Sequence, residues 1–248
     1  MDVTQVVFCQ ALQACHRAYG VTPTSIIDAM MAEFARHTPE PSLFEARADA
    51  YVDIIYYICD SLWRMGFSPD RLDAIGANAG PYLLLIKRFY GAVGEFSRVN
   101  IEAMEPHKRI SEPAKQVPFL LKMIGSELLE ALNVAPTGDV IARERARWTE
   151  AIAGIGDAGD VPALNLIWAL MTSIIFTYET VAPGLIAEVF DEVHGANMRK
   201  GLVGADGVRR FETRLVGEGD TAVVKIIKPT GWVGPDVGAA CKRWMKNA

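Results

Sequence analysis

The chain has 248 residues, of which 50% are hydrophobic and 22% charged, with a formal net charge of -5. That length can bury a sizeable core as one large domain or two smaller ones, and the negative balance leaves no basic excess to hold a nucleic-acid backbone, so nucleic acid is not an expected partner. The four cysteines, Cys9, Cys15, Cys59 and Cys241, lie in or beside apolar stretches with no CxxC pair and no signal peptide ahead of them, which predicts reduced thiols in a cytoplasmic protein.

From Val3 to Tyr19, Phe8, Leu12, Cys15 and Tyr19 recur at helical spacing, predicting a first helix. A turn over Gly20 to Thr24 leads to a second helix, capped by Ser25 and running through Arg36 to the Pro39 and Pro41 break. A third helix spans Leu43 to Met65 and stops at Gly66. FSPDRLDAIGANAG then predicts a short helix with a glycine-rich exit. Pro81 to Arg98 is a helix rich in leucine and aromatic residues, followed by a loop carrying Pro106, Pro113 and Pro118. Val117 to Leu132 is strongly apolar on one face through Leu120, Leu121, Ile124, Leu128 and Leu132. Beyond the Pro136 and Gly138 break, Val140 to Ile155 is amphipathic, and Gly154 to Gly159 is a turn.

Val161 to Tyr178 contains no charged residue and approaches the length that spans a bilayer. Its Pro162, Asn165, Thr172, Ser173 and Thr177, and the absence of a flanking Lys/Arg cluster, favour a helix buried within a bundle, so no membrane association is expected. Leu185 to Met198 closes the bundle. After Gly201 the period falls towards two: Arg210 to Val216 and Ala222 to Ile227 read as strands around a Gly217, Glu218, Gly219, Asp220 turn. Gly238 to Lys246 reads as a short terminal helix.

The two halves echo each other. Setting Gly66 against Gly184 places LDAIGANAG (72–80) beside FDEVHGANMRKG (190–201) with one residue skipped, sharing an apolar residue, Asp, an apolar residue and Gly-Ala-Asn. The predicted organisation is a degenerate first helical repeat over 1–80, a second over 81–201, and a hairpin and tail over 202–248.

The stretch from Val189 to Val237 carries Phe190, Asp191, Glu192, Val193, His194, Asn197, Met198 and Lys200, then Lys225, Lys228, Pro229, Gly231, Trp232, Pro235 and Asp236. In this order it resembles the C-terminal signature of the phage-type branch of the MazG-like nucleoside triphosphate pyrophosphohydrolases, in the phosphoribosyl-ATP pyrophosphohydrolase-like all-α superfamily. The resemblance implies an all-α fold and magnesium-dependent cleavage of a (d)NTP to a (d)NMP and pyrophosphate, with manganese an alternative; joined to the internal echo and the strand-like segments, it gives a duplicated helical bundle with a small β-hairpin-containing tail. It further implies a homo-oligomer, most simply a dimer, and a tail that often covers a neighbouring subunit. It covers about 50 C-terminal residues and the region around 45 to 66.

Cleaving a triphosphate needs carboxylates that converge on divalent metal. The family's pattern places ExxE on one helix and ExxD or DxxxD on the next, and residues three or four apart share a helix face. Here the two halves of that pattern fall in different repeats. ADAYVDIIYYICDSLWRMG carries Asp49 and Asp53 in the first, with D-I-I-Y as in relatives, and GSELLEAL carries Glu127 and Glu130 in the second. The first repeat's own ExxE position reads AMMAEFARH, with Glu33 for the later acid and Met30 for the earlier; the second repeat's NLIWALMTSIIF has no acid. Three arrangements follow: a composite site of Asp49, Asp53, Glu127 and Glu130, a reduced site of Glu33, Asp49 and Asp53, or no productive site in a decayed nucleotide-binding or scaffold protein. Charged pairs on helix faces are usually solvated surface, but these stand among apolar residues, where an acid needs a partner. Glu127 is also a candidate general base.

On the nucleotide side, Asn197 and Lys200 are candidates for phosphate and sugar. His194 is a candidate for base or phosphate, or equally a helix-capping or core histidine. Lys225 and Lys228 are further cations, and Trp232 stacks on a base or, as favoured, pins the tail. No P-loop, GxGxxG, GxSxG, CxxC or HExxH pattern is present.

Overall fold

In the computed structural model, residues 2–38, 43–67, 82–102, 112–156, 158–159, 161–216 and 223–247 are described. Nine helices and four short strands occur among them: α1 Val3–Tyr19, α2 Pro23–Phe34, α3 Leu43–Arg64, α4 Leu83–Glu102, α5 Pro113–Glu130, α6 Gly138–Gly154, α7 Ala163–Val181, α8 Leu185–Met198, β1 Leu202–Val203, β2 Arg209–Arg210, β3 Thr213–Val216, β4 Val223–Ile226 and α9 Val237–Asn247. The fold is all-α with a small β-containing tail. The predicted short helix and glycine exit over 68–80, the Pro39, Pro41 and Pro106 segments and the 217–220 turn lie outside the described residues, as does the first copy of the repeated motif.

Helix ends follow local chemistry. Asp2 caps α1 in a capping box with Gln5, and Gly20, at φ 69°, closes it by donating its N–H to His16 O. For α2 the N-cap is Thr22 rather than Ser25, because Pro23 occupies the first helical turn, where its missing N–H costs nothing; Ser25 instead returns a hydrogen bond to Thr22 O. α5 starts four residues before its expected beginning, at Pro113, and carries Pro118 inside it. That proline forfeits one backbone bond near the start of the helix, and the apolar face beyond it, with Leu120, Leu121 and Ile124 wholly buried, holds the helix together.

The halves share a single core. α1 lies along α7, α2 and α3 both pack on α5, and α3 also meets α4, α7, α8 and α9. α7 is long and apolar enough to cross a membrane by length and composition, yet Ile167, Leu170, Met171, Ile174 and Ile175 are buried in the shared core. All four cysteines are free and buried.

The α2–α5 crossing is unusually close because Gly125 has no side chain: a Cβ there would stand 2.8 Å from Met30 Sδ and 3.1 Å from Met30 Cβ. Leu128 and Leu129 anchor the same stretch of α5. This crossing places Glu33 near the end of α2 beside the acids of α5. In the tail, β1 pairs with β2 and β3 with β4, both antiparallel. The β1–β2 ladder was not expected from the sequence, since two-residue strands leave no alternation to read.

Candidate active site

α3 presents Asp49, Asp53 and Tyr56 along one face, and α5 presents Glu127 and Glu130 towards it. Glu127 is buried. Asp53 is half-buried, with protein packed densely around it. Burial, and then the charge of Asp49, push the Asp53 carboxyl up to about 8; Lys200 opposes the shift and Glu130 adds to it. Burial also lifts Glu127 well above the usual carboxylate range, followed by the charges of Asp53, Glu130, Asp49 and Glu33. The carboxylates predicted from opposite halves therefore feel one another.

Glu33 belongs to the same electrostatic neighbourhood but is already neutralised. Burial works against its charge, yet Lys122, Arg36 and Lys225 together hold its pKa below the ordinary value. Its Oε2 lies 2.9 Å from Arg36 Nη1 and 3.4 Å from Lys122 Nζ. Glu130 Oε1 lies 2.9 Å from His37 Nδ1, which raises the histidine's pKa. That oxygen is sealed from solvent, and no donor among the described residues meets it in hydrogen-bonding geometry, so the contact is charge pairing. A pocket opens beside it, lined by Phe34, His37, Ala46, Asp49, Glu130 and Asn133. Asn133, in the left-handed region at φ 47°, contributes a buried oxygen without a hydrogen-bond partner, Oδ1.

Magnesium would meet a suitable donor set here: carboxylates that raise one another's proton affinity, and the partnerless Asn133 Oδ1 at the same pocket. Among the described residues no three His, Cys, Asp or Glu side chains already stand at metal-ligand spacing, so gathering them around a cation requires side-chain rotation.

The tail brings cations to the acids. Lys200 Nζ donates to Asn197 Oδ1 at 2.5 Å. Burial lowers the Lys200 pKa, Asp53 raises it, and Lys228 lowers it further. Trp232 stands under two ammonium groups, Lys228 Nζ at 4.5 Å and Lys200 Nζ at 5.2 Å from its ring. Its indole N–H donates to Ala196 O at 2.8 Å, which pins the tail to α8 of its own chain. Lys225 is exposed and lies within reach of Glu33. His194 turns inward: its ring stacks on Phe190 at 5.8 Å and its Nδ1 lies 3.1 Å from the Tyr56 hydroxyl.

Sequence reasoning missed Lys122, His37, Tyr56 and Asn133. His37 stands four residues after Glu33 in the sequence, but α2 ends at Phe34, so helical spacing does not bring it to the acids. Lys122 and Asn133 carried no signal, because their partners come from other helices or loops. Compared with protein-family models, curated proteins and solved structures, the chain matches none.

Proposed function

We propose that the chain is a metal-dependent nucleoside triphosphate pyrophosphohydrolase, converting a (d)NTP to a (d)NMP and pyrophosphate. One observation carries the reading: Asp49 and Asp53 from one half and Glu127 and Glu130 from the other lie in mutual electrostatic reach, with Lys200 also acting on Asp53. Asp49, Asp53, Glu127 and Glu130, with Glu33 at the margin, are the residues that would hold magnesium or manganese, which supplies neutralisation of the phosphate oxygens when bound. Glu127, ionised only once a bound cation offsets its raised proton affinity, would act as general base in place of a ligand role, accepting a proton from the attacking water as oxygen bonds to phosphorus and the α–β anhydride bond breaks. Lys200, Lys228 and Lys225 offset the charge of the departing pyrophosphate, while Asn197 holds Lys200 in place. The proposal includes a cytoplasmic, homo-oligomeric protein.

The test is pyrophosphate release from a panel of canonical and modified (d)NTPs with and without magnesium or manganese. Metal-dependent release that Glu130→Gln abolishes, with an unchanged circular-dichroism spectrum, is the expected result. A second reading, a decayed nucleotide-binding protein, draws on the same acids standing wider than metal-ligand spacing; nucleotide binding that survives chelation, without pyrophosphate release, would establish it instead.

A further inference from the structure

Lys228 and Trp232 stand at the two ends of the stretch KPTGW. Gly231, at φ 77°, lets the chain reverse there, and the Trp232 N–H closes the turn by donating to Pro229 O at 2.9 Å. The reversal folds the lysine back across the indole, with Lys228 Nζ 4.5 Å from the ring centre. Lys200 reaches the same ring from just beyond the end of α8, its Nζ at 5.2 Å. What joins the two segments is the indole N–H, which donates at 2.8 Å to Ala196 O, a carbonyl that the last turn of α8 leaves without a helical partner.

Two ammonium groups over one ring repel each other, and burial adds to the cost for Lys200. A carboxylate would ordinarily offset that cost. Among the described residues, none lies within ion-pair distance of either Nζ: Lys200 Nζ donates to the neutral Asn197 Oδ1 at 2.5 Å, and Lys228 is exposed over the ring. Asp53 acts on Lys200 from farther away, and its carboxyl keeps its proton up to about 8. The indole face attracts both cations but carries no full charge. Positive charge is thus gathered here that the protein does not balance, and an anionic ligand would balance it. Two ammonium groups, each with three donors, suit the oxygens of adjacent phosphates.

We infer that Lys200 and Lys228 form an anion clamp for a pyrophosphate group, that Trp232 is the positioning residue holding both ammonium groups, and that the clamp engages its ligand without metal. Neither lysine needs a bound cation to present its charge. The inference rests on the reading of this site as one for triphosphates and divides the work within it: the acids of α3 and α5 take the cation, and the tail takes the terminal phosphates.

The experiment is calorimetric titration of the full chain with sodium pyrophosphate in a chelating buffer, for the wild type, Lys200→Met, Lys228→Met, Trp232→Phe and Trp232→Leu. The wild type is expected to bind, and each lysine variant to bind about tenfold more weakly, the loss typical of one hydrogen bond to a charged partner. Trp232→Leu removes the ring beneath both ammonium groups and should weaken binding about fivefold, whereas Trp232→Phe keeps a ring and should stay within about twofold of the wild type. Both tryptophan variants lose the bond to Ala196 O, so a tryptophan that only pins the tail would make them equally weak. That result, or lysine variants as tight as the wild type, overturns the inference. Metal-dependent (d)NTP cleavage by a wild type that binds no pyrophosphate under chelation would sink the clamp and leave the hydrolase reading standing. Pyrophosphate binding that needs both lysines and the ring, without cleavage of any nucleotide, would keep the clamp and remove that reading.

Discussion

Replacing Asp53 by asparagine should make the metal-free protein more stable while destroying its site. The folded chain holds the Asp53 proton up to about 8, against 3.8 for an ordinary aspartate. Below pH 4 both folded and unfolded chains are protonated and the group contributes nothing. Between pH 4 and 8 the unfolded chain releases the proton and the folded chain keeps it, so stability falls as pH rises; above 8 the penalty is constant. At about 1.4 kcal/mol per pKa unit, a shift of roughly four units sets a ceiling of ~6 kcal/mol. The partial exposure of Asp53 and the sharing of charge with Asp49 reduce it to about 2 kcal/mol at neutral pH. For a chain of this size Asp53→Asn should therefore raise the melting temperature by about 4–8 °C at pH 7, with little change at pH 4. Thermal unfolding of both proteins between pH 4 and 8.5, with and without magnesium, measures it, and magnesium should stabilise the wild type more than the variant. A variant that melts below the wild type at pH 7 without metal, or a wild type whose melting point climbs from pH 5.5 to 8.5, would refute the reasoning.

Glu33→Gln should act in the opposite sense. Its charge is held by Lys122 and Arg36, so its contribution is present above its ordinary pKa and lost in acid, and urea unfolding at pH 7 should show a loss of about 1–2 kcal/mol. Gly125→Ala should cost about 1–2 kcal/mol through the contact with Met30, net of the gain in helix propensity. Met30→Ala should relieve part of that steric term, and additive losses in the same unfolding assay would mean that the helices do not meet there. Trp232→Phe keeps a ring under Lys200 and Lys228 but removes the bond to Ala196 O. Its tail should be cleaved several-fold faster in limited proteolysis, in line with about 1 kcal/mol lost.

The sequence by itself determined the helical framework, because the apolar repeats of Val3 to Tyr19, Leu43 to Met65 and Leu185 to Met198 are long and local, and local periodicity is what a chain displays without its partners. It also marked the acids of the candidate site, since a carboxylate among apolar residues is conspicuous in one dimension, but not Lys122 or His37, which pair with them. Boundaries at prolines were less legible: Pro113 and Pro118 both read as loop, yet one starts a helix and the other is carried inside it by packing. Only the tertiary structure decided that Glu127 and Asp53, separated by more than seventy residues, share one electrostatic neighbourhood, and that Glu33 stands slightly apart, neutralised by Lys122. Those outcomes depend on α2 and α5 crossing at Gly125 and on α3 packing beside them. Pairing of charges depends on distances of a few ångströms between helices, and no spacing along the chain encodes such distances.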